Sequence, residues 1–291
     1  MTHSGAIPGP RVGRTTDDDD LDSPQPPADR PDLTPHLDRA TPARIYDYLL
    51  GGKDNFAVDR QAARTLIGLL GEDTARSAAQ ENRAFVRRTA QWMADQGIGQ
   101  FIDLGAGLPT DGNVHEVVQQ VDPAAHVVYV DNDPIVLAHG RALLADSPDV
   151  DIITADLRRP DEVFAHPTTR RLIDTSRPVG LLMFAVLHFV SDDDQPADLV
   201  RTYAGQLVSG SMIGLSHTTR DGFAPELVAE AVSVYRRTTT TMTPRSREEI
   251  AALLEGFELV EPGLVHPWAW RPDRVDRVGT NVSYGAVARL H

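Results

Sequence analysis

The chain has 291 residues, 41% of them hydrophobic, with a net charge of -14 and no cysteine. This length suits one large domain or two small ones, and the lack of cysteine excludes disulfides, thiolate zinc sites and cysteine nucleophiles. The excess of acidic residues argues against non-specific binding of nucleic acid through phosphate contacts. No stretch reaches the roughly 18 apolar residues of a membrane span, and the N-terminus lacks the layout of a secretory signal. We therefore expect a soluble cytoplasmic protein with no membrane partner.

Residues 1–40 differ in composition from the rest of the chain. They are rich in proline, contain no aromatic residue and carry four consecutive aspartates, Asp17–Asp20. Burial of so few apolar groups cannot offset the entropy lost when such a segment becomes ordered. We expect a disordered acidic tail, in which the aspartates are solvated and do not form a metal site.

Regular apolar spacing begins near Thr41. It predicts three helices, over residues 42–50, 58–70 and 73–96. The pair Gly51–Gly52 is expected to end the first of them. This region, residues 41–98, is interpreted as a helical lid, and residues 99–291 as the main domain.

From Gln100 short apolar runs alternate with amphipathic segments. The predicted strands cover residues 100–105, 126–131, 150–155, 179–187 and 212–217. The predicted helices between them cover residues 112–121, 134–145, 161–173 and 196–208. This alternation is typical of a parallel sheet with helices on both faces. Ligands of such sheets bind outside the carboxyl ends of the strands.

The last part of the chain breaks this rhythm. A helix is predicted over Pro225–Arg237, and a capping box at Ser246–Glu249 opens another helix that runs to about Leu254. Two final strands are predicted over residues 257–264 and 283–290. Their connection is too polar for a crossover helix, so we expect an antiparallel pair.

The first predicted strand ends in an acid and opens into a glycine turn, with Asp103, Gly105 and Gly107. Glycines there let a ligand approach the backbone closely. The third glycine position of the dinucleotide pattern is Thr110, which counts against NAD. The pattern favours S-adenosylmethionine, which has no pyrophosphate to hold; an ordinary strand-to-helix turn is the alternative.

The second predicted strand also ends in an acid, Asp131, followed by Asn132 and Asp133. A carboxylate at this place can accept two hydrogen bonds from a ribose diol. Asp133 directly precedes Pro134, so it is the better cap for the next helix. Asp131 is then left for the ligand.

Two further strand ends supply candidates. Asp156 ends the third strand. Its carboxylate can accept a hydrogen bond from the exocyclic amine of an adenine, while Leu157 packs on the ring. The alternative is an aspartate that only caps the loop. The fourth strand leads into Ala185 and His188. His188 is a candidate general base, although a histidine that orients a loop by hydrogen bonding is the better interpretation. His217, at the end of the fifth strand, is treated in the same way.

The sequence gives less support for a metal site or for covalent hydrolysis. Asp192–Asp194 lack a histidine with ligand spacing, and they precede Pro196, so helix capping is a better interpretation than a metal site. No G-x-S-x-G turn is present, so covalent hydrolysis has no support. We expect no bound metal.

The chain resembles the actinobacterial S-adenosylmethionine-dependent methyltransferase family 19, formerly domain of unknown function 574. The resemblance spans nearly everything after residue 40. Its most specific stretches are Gly51-Gly-Lys-Asp-Asn-Phe56 and Gly107-Leu-Pro-Thr110, with further matches at Val128–Pro134, Ala185–Val190 and Val260–Leu264.

This resemblance implies a class I methyltransferase fold, Rossmann-like, with S-adenosylmethionine as cofactor. It places Asp103, Gly105 and Gly107 around the amino-acid part of the cofactor, Asp131 on the ribose and Asp156 beside the adenine. It supplies no methyl acceptor; a small molecule is expected. Candidates for the acceptor pocket and lid are Tyr46, Tyr48, Gly52, Asn55, His188, His217, Tyr235 and Arg245. The rivals are a non-catalytic sensor of the same cofactor and an NAD-dependent oxidoreductase.

Overall fold

The structure is a computed structural model in which residues 1–2, 38–110, 112–144, 147–272 and 278–291 are described. The predicted tail over residues 1–40 lies almost entirely outside these residues. Asp111, which precedes the predicted helix over residues 112–121 and is a plausible cap for it from the sequence, also lies outside the described residues.

Seven strands form one mixed sheet. They are β1 Gln100–Leu104, β2 His126–Asp131, β3 Val150–Thr154, β4 Gly180–Phe184, β5 Met212–Thr218, β6 Glu258–Leu259 and β7 Ser283–Arg289. Their spatial order is β3-β2-β1-β4-β5-β7-β6. The first five strands run parallel to their neighbours, whereas β7 is antiparallel to both β5 and β6. The predicted sheet, with its antiparallel C-terminal pair, is confirmed.

The α-helices of the described residues surround this sheet. They are α1 Pro42–Leu50, α2 Ala57–Leu70, α3 Glu72–Asp95, α4 Val114–Val121, α5 Pro134–Leu144, α6 Pro160–Ala165, α7 Pro167–Leu172, α8 Pro196–Ala204, α9 Pro225–Tyr235 and α10 Arg247–Ala252. Short 3₁₀ turns lie at Leu187–Phe189, Asp192–Asp194 and Pro267–Ala269. None of the described helices is both long and apolar enough to cross a bilayer.

Alternating side chains of the strands feed two separate cores. On β1, Ile102 and Leu104 belong to the core shared with α6, α7, α8 and α10. Phe101, the residue before Ile102, belongs to the opposite core, where Phe85 and Met93 of α3 pack. This period of two places Asp103 on the same face as Phe101, toward α3. The predicted lid, residues 41–98, therefore includes a helix whose buried face is part of the sheet core.

A smaller third layer joins the N-terminal helices to α9. Ile45 of α1, Leu66 of α2 and Val234 of α9 are its buried centre. The layer is also tied through the backbone, because the amide of Thr239 donates to the carbonyl of Ala40 at 3.1 Å. The segment after β5 and the start of α1 thus meet over the carboxyl ends of the strands.

Proline accounts for one departure from the predicted elements. The predicted helix over residues 161–173 is split at His166, since Pro167 lacks the amide that a continuous helix needs.

Two further departures from the predicted elements are strands that are shorter than predicted. The predicted strand over residues 179–187 ends at Phe184, where a turn begins. The predicted strand over residues 257–264 pairs only at Glu258 and Leu259.

Helix caps were predicted with mixed success. Ser246 and Glu249 form the expected capping box, and Asp133 accepts from the amide of Ile135 at 2.9 Å, as a helix cap does. The cap of α4 is Asn113. The capping role of Asp192–Asp194 was wrong: Gln195 precedes α8, and no side chain caps it.

Candidate functional site at the carboxyl ends of the strands

A pocket of about 730 Å³ opens where β1 to β5 end and is covered by α1, α2, α3 and α9. This volume lies within the usual range for small-molecule sites. The structure brings together on its wall most of the residues expected at the site: Tyr46, Asp103, Gly105, Gly107, Asp131, Asn132, Asp156, Leu157, Ala185, His188, His217 and Tyr235.

The two glycines after β1 differ in function. Both have left-handed backbones, with φ of 74° at Gly105 and 68° at Gly107. A Cβ on Gly105 would overlap Val186, so this glycine is needed for packing. A Cβ on Gly107 would meet no atom within 4 Å, so its bare backbone faces open space. Gly107 therefore leaves the room that a closely bound ligand requires.

Asp131 is held by backbone amides on both of its oxygens. Oδ2 accepts from Gly107 N at 2.9 Å, and Oδ1 accepts from Asp133 N at 2.9 Å. Burial raises the pKa of Asp131 to about 6, and the two amides oppose that shift. A carboxylate offers about four lone-pair sites, so acceptor capacity remains for a ligand.

Asp103 and Arg83 form a pair of opposite charges that the sequence did not reveal. Burial raises the pKa of Asp103 to about 7, Arg83 lowers it, and Asp131 raises it further. Asp103 accepts no hydrogen bond from the described residues. Arg83 donates from Nη2 to Gly112 O at 3.2 Å, while its Nε is buried without a partner. An acid and a cation with spare bonding capacity suit a ligand that carries both charges.

Asp156 has a fixed cationic neighbour. Arg158 donates to both of its oxygens, with Nη2 at 2.6 Å from Oδ2 and Nε at 3.0 Å from Oδ1. This pairing lowers the pKa of Asp156. The carboxylate is therefore ionised and oriented where the third strand ends.

Ala185 has a strained backbone at the end of β4. Its φ is 51°, a left-handed value that L-residues rarely adopt. The conformation is held because its amide donates to the backbone carbonyl of Ser216 at 3.0 Å and to the hydroxyl at 2.9 Å. The strain turns the chain away from the sheet beside the glycine turn.

A chain of hydrogen bonds runs from this turn to the first helix. Ser216 Oγ donates to Asn82 Oδ1 at 2.6 Å, and Asn82 Nδ2 donates to the hydroxyl of Tyr46 at 3.0 Å. Tyr46 in turn donates to Ala79 O at 3.0 Å. Every polar atom of this buried chain is satisfied, so it fixes α1 and α3 relative to the ends of β4 and β5.

His188 is buried and neutral. Its Nδ1 accepts from the amide of Thr218 at 3.3 Å, so the ring proton lies on Nε2. Burial, together with His217 and Arg245, lowers its pKa well below the ordinary value of 6.5. In this tautomer Nε2 can donate a hydrogen bond to a ligand but cannot accept a proton.

His217 is also fixed as a neutral ring. Its Nδ1 donates to Thr218 O at 2.8 Å, and its Nε2 accepts from Arg245 Nη1 at 2.8 Å. Burial lowers its pKa to about 4. Because both nitrogens are occupied, His217 cannot serve as a general base at neutral pH.

Arg245 lies behind this wall and does not line the pocket. It is only 3% exposed, and its guanidinium also donates to Leu187 O at 3.0 Å and to Val190 O at 2.9 Å. Its Nη2 forms an ion pair with Asp192 at 2.7 Å. The structure thus corrects the expected position of Arg245, which fastens the turns after β4.

Three candidates in the last turn of α1 and the segment after it also lie away from the pocket wall. Asn55 donates to Asp47 Oδ2 at 2.7 Å and to Gly52 O at 3.0 Å. A Cβ on Gly52 would overlap Asp47. Tyr48 lies beneath the guanidinium of Arg76, with the Cζ atom of Arg76 5.6 Å from the centre of the Tyr48 ring. These residues shape the helix end and do not face the pocket.

Within the described ranges, no group of three or more histidine, aspartate or glutamate side chains is arranged to hold a metal ion. The charged groups among the described lining residues are the acids at or just after the strand ends, Asp194 and the arginines 83 and 158.

The sheet order and the position of the pocket define a class I methyltransferase fold, as the sequence predicted. The family model described as S-adenosyl methyltransferase matches residues 32–291. The chain therefore belongs to this methyltransferase family, number 19, and its cofactor is S-adenosylmethionine.

Two crystal structures are similar over almost their whole length. A candidate methyltransferase from Thermobifida fusca is 40% identical, with a TM-score of 0.81, over 88% of this chain and 97% of that chain. A DUF574 family protein from Streptomyces avermitilis is 37% identical, with a TM-score of 0.81, over 88% of this chain and 99% of that chain. A comparison with curated proteins gave no match.

Proposed function

We propose that the protein transfers the methyl group of S-adenosylmethionine to a small-molecule acceptor in the pocket at the strand ends. The observation that carries this proposal is the cradle formed by Gly107, Asp131 and the charge pair Asp103–Arg83. It combines open backbone, a carboxylate with spare lone pairs, and two unsatisfied opposite charges. These features match the ribose and the zwitterionic amino-acid end of the cofactor.

Each cofactor contact follows from the chemistry of the residue. Asp103 would accept a hydrogen bond from the ammonium, and the guanidinium of Arg83, which lines the pocket, would donate to the carboxylate. Asp131, with Asn132 beside it, would accept from the ribose hydroxyls. Asp156 would accept from the adenine amine, and Leu157 and Ala185 would line the base.

The protein needs no strong base for this reaction. The sulfonium group supplies an already activated methyl, so catalysis can rest on holding the acceptor in line with it. His188 and His217 are neutral and held by hydrogen bonds, which suits positioning and not proton abstraction. We propose that α1 and α2 act as a lid that excludes water during transfer.

The direct test is calorimetric titration with S-adenosylhomocysteine, followed by mass spectrometry of small-molecule extracts incubated with protein and methyl-labelled cofactor. Tight binding and a labelled product are expected. Binding without any labelled product would favour the sensor, which is consistent with the neutral, hydrogen-bonded rings of His188 and His217. Lack of binding would contradict both functions.

A further inference from the structure

The pocket continues beyond the strand ends to a wall made by three helices. Leu49 of α1, Leu66 and Leu70 of α2, and Leu227, Val228 and Tyr235 of α9 line this part, here called the helical wall. It is the inner surface of the third layer, where α1, α2 and α9 pack together. The helical wall is the place left for an acceptor once the strand-end residues hold the cofactor.

The charges of the pocket are segregated. Each charged side chain among the described lining residues lies on α3, near the ends of β1 and β2, or in the loops after β2, β3 and β4, and the lining residues of α1, α2 and α9 include none. A charged acceptor on the helical wall would lose its hydration without gaining a counter-charge, which is unfavourable. A neutral, mostly apolar molecule gains free energy there by burying its surface.

Two polar atoms interrupt this apolar surface. The hydroxyl of Tyr235 has no hydrogen-bond partner among the described residues, and burial raises the pKa of Tyr235 to about 12. Nε2–H of His188 likewise has no partner, and neither atom is sealed from the pocket. The ring of Phe189 lies between them, 4.4 Å from the His188 ring and 5.4 Å from the Tyr235 ring, centre to centre.

We propose, building on the methyltransferase function above, that the acceptor is a small, neutral, mostly apolar alcohol or phenol that is methylated on its hydroxyl oxygen. The hydroxyl lies near His188 and Tyr235, and the apolar body lies against the helical wall. An amine fits less well, since its protonated form would require a carboxylate that this part of the pocket lacks.

The step balances without another reactant. The hydroxyl proton passes to water before the lid closes, and Nε2–H of His188 stabilises the oxyanion that remains by a hydrogen bond. That oxygen forms a bond to the methyl carbon while the carbon–sulfur bond breaks. The electron pair of the broken bond stays on sulfur, which becomes a neutral thioether.

Three probes with one ring system test the proposal: 2-naphthol, 2-naphthoate and 2-naphthylmethylammonium. Binding of each to the protein saturated with S-adenosylhomocysteine is measured by calorimetry at pH 7.5. We expect 2-naphthol to bind at least tenfold more tightly than either charged probe. Equal or reversed affinities, or no binding by any of the three, would overturn the proposal.

Variants locate the binding surface. Leu227→Asp places a charge on the helical wall and should weaken 2-naphthol binding at least tenfold. Ala229→Asp places the same charge on the exposed face of α9, away from the pocket, and should change nothing. Tyr235→Phe should weaken 2-naphthol binding about threefold or more, yet leave naphthalene binding unaltered.

The cofactor serves as the reference in these titrations. Both aspartate variants of α9 should keep the wild-type affinity for S-adenosylhomocysteine. If 2-naphthol binds the Leu227→Asp protein as well as the wild type, the acceptor proposal fails while the methyltransferase function stands. If S-adenosylhomocysteine does not bind the wild type, the function itself fails and the acceptor proposal with it.

Discussion

The carboxylate of Asp131 accepts a hydrogen bond from the amide of Gly107 at 2.9 Å, and this bond ties the end of β2 to the glycine turn after β1. The same carboxylate that is proposed to bind the ribose thus also sets the shape of the turn beside it. Loss of Asp131 should therefore affect ligand binding both directly and through Gly107.

We predict that Asp131→Ala weakens binding of S-adenosylhomocysteine by about 1.5–3 kcal/mol, the usual value for a hydrogen bond to a charged group. Calorimetric titration of the folded variant measures this. Asp122→Ala is the matched control, since Asp122 caps a turn at the opposite end of β2. An unchanged dissociation constant for Asp131→Ala would remove this residue from the cofactor site.

Arg83 should distinguish ligands by their amino-acid part. Arg83→Met should weaken S-adenosylhomocysteine binding about ten- to hundredfold, which corresponds to roughly 1.4–2.8 kcal/mol. It should barely affect 5′-methylthioadenosine, which has no carboxylate. Arg87→Met, on the exposed face of the same helix, controls for loss of a helical cation. Equal losses for the two ligands would contradict a carboxylate contact.

The raised pKa of Asp103 predicts a stability cost at neutral pH. The folded-state pKa is about 7 and the ordinary value is 3.8, so the folded protein holds more protons than the unfolded chain between these values. Its free energy of unfolding therefore falls as the pH rises through this window. Asp103→Asn should be as stable as the wild type near pH 4 and more stable at pH 8, by up to about 4 kcal/mol. Thermal unfolding at several pH values measures the difference.

The ligand should show the opposite dependence. Because ionised Asp103 is the form that accepts from an ammonium, wild-type affinity for S-adenosylhomocysteine should increase as the pH rises from 6 to 8. The Asp103→Asn protein should bind more weakly and lose this pH dependence. A wild-type affinity that stays constant over this range would separate Asp103 from the ligand.

Arg245 should be important for stability although it lies outside the pocket. Arg245→Met leaves His217 Nε2 and two backbone carbonyls without their donor, so we expect a loss of about 2–4 kcal/mol in the free energy of unfolding. Arg220→Met breaks an exposed ion pair with Glu249 and should cost about 0–1 kcal/mol. Denaturant unfolding compares the two. Similar small losses would show that the buried bonds of Arg245 contribute little.

The sequence predicted the strand ends well because their signals are local. Asp103, Asp131 and Asp156 each follow an apolar run, and parallel strands bring such ends to one edge whatever the details of packing. The glycine turn and the helix cap at Asp133 could be predicted from the sequence for the same reason. Local patterns also predicted the bounds of α1, α2 and α3 to within a residue or two.

What the sequence did not reveal depends on contacts between distant segments. Arg83 is one of several arginines on α3, and only the packing of that helix on the sheet selects it to face Asp103. Arg245 precedes a capping box and looks like an ordinary helix-end charge, yet tertiary contacts bury it. The tautomers of His188 and His217 follow from Thr218 and Arg245, whose positions no periodicity encodes.

The position of β7 between β5 and β6 has a consequence for how the molecule is assembled and shortened. Among the described residues β6 has no other sheet neighbour, and β5 has an unpaired edge until Ser283–Arg289 pairs with it. Most of β5 is buried in the folded protein, and its edge would be a template for unwanted pairing if it were left unpaired. Fragments that stop before residue 283 should therefore aggregate during expression and should not yield a smaller folded protein.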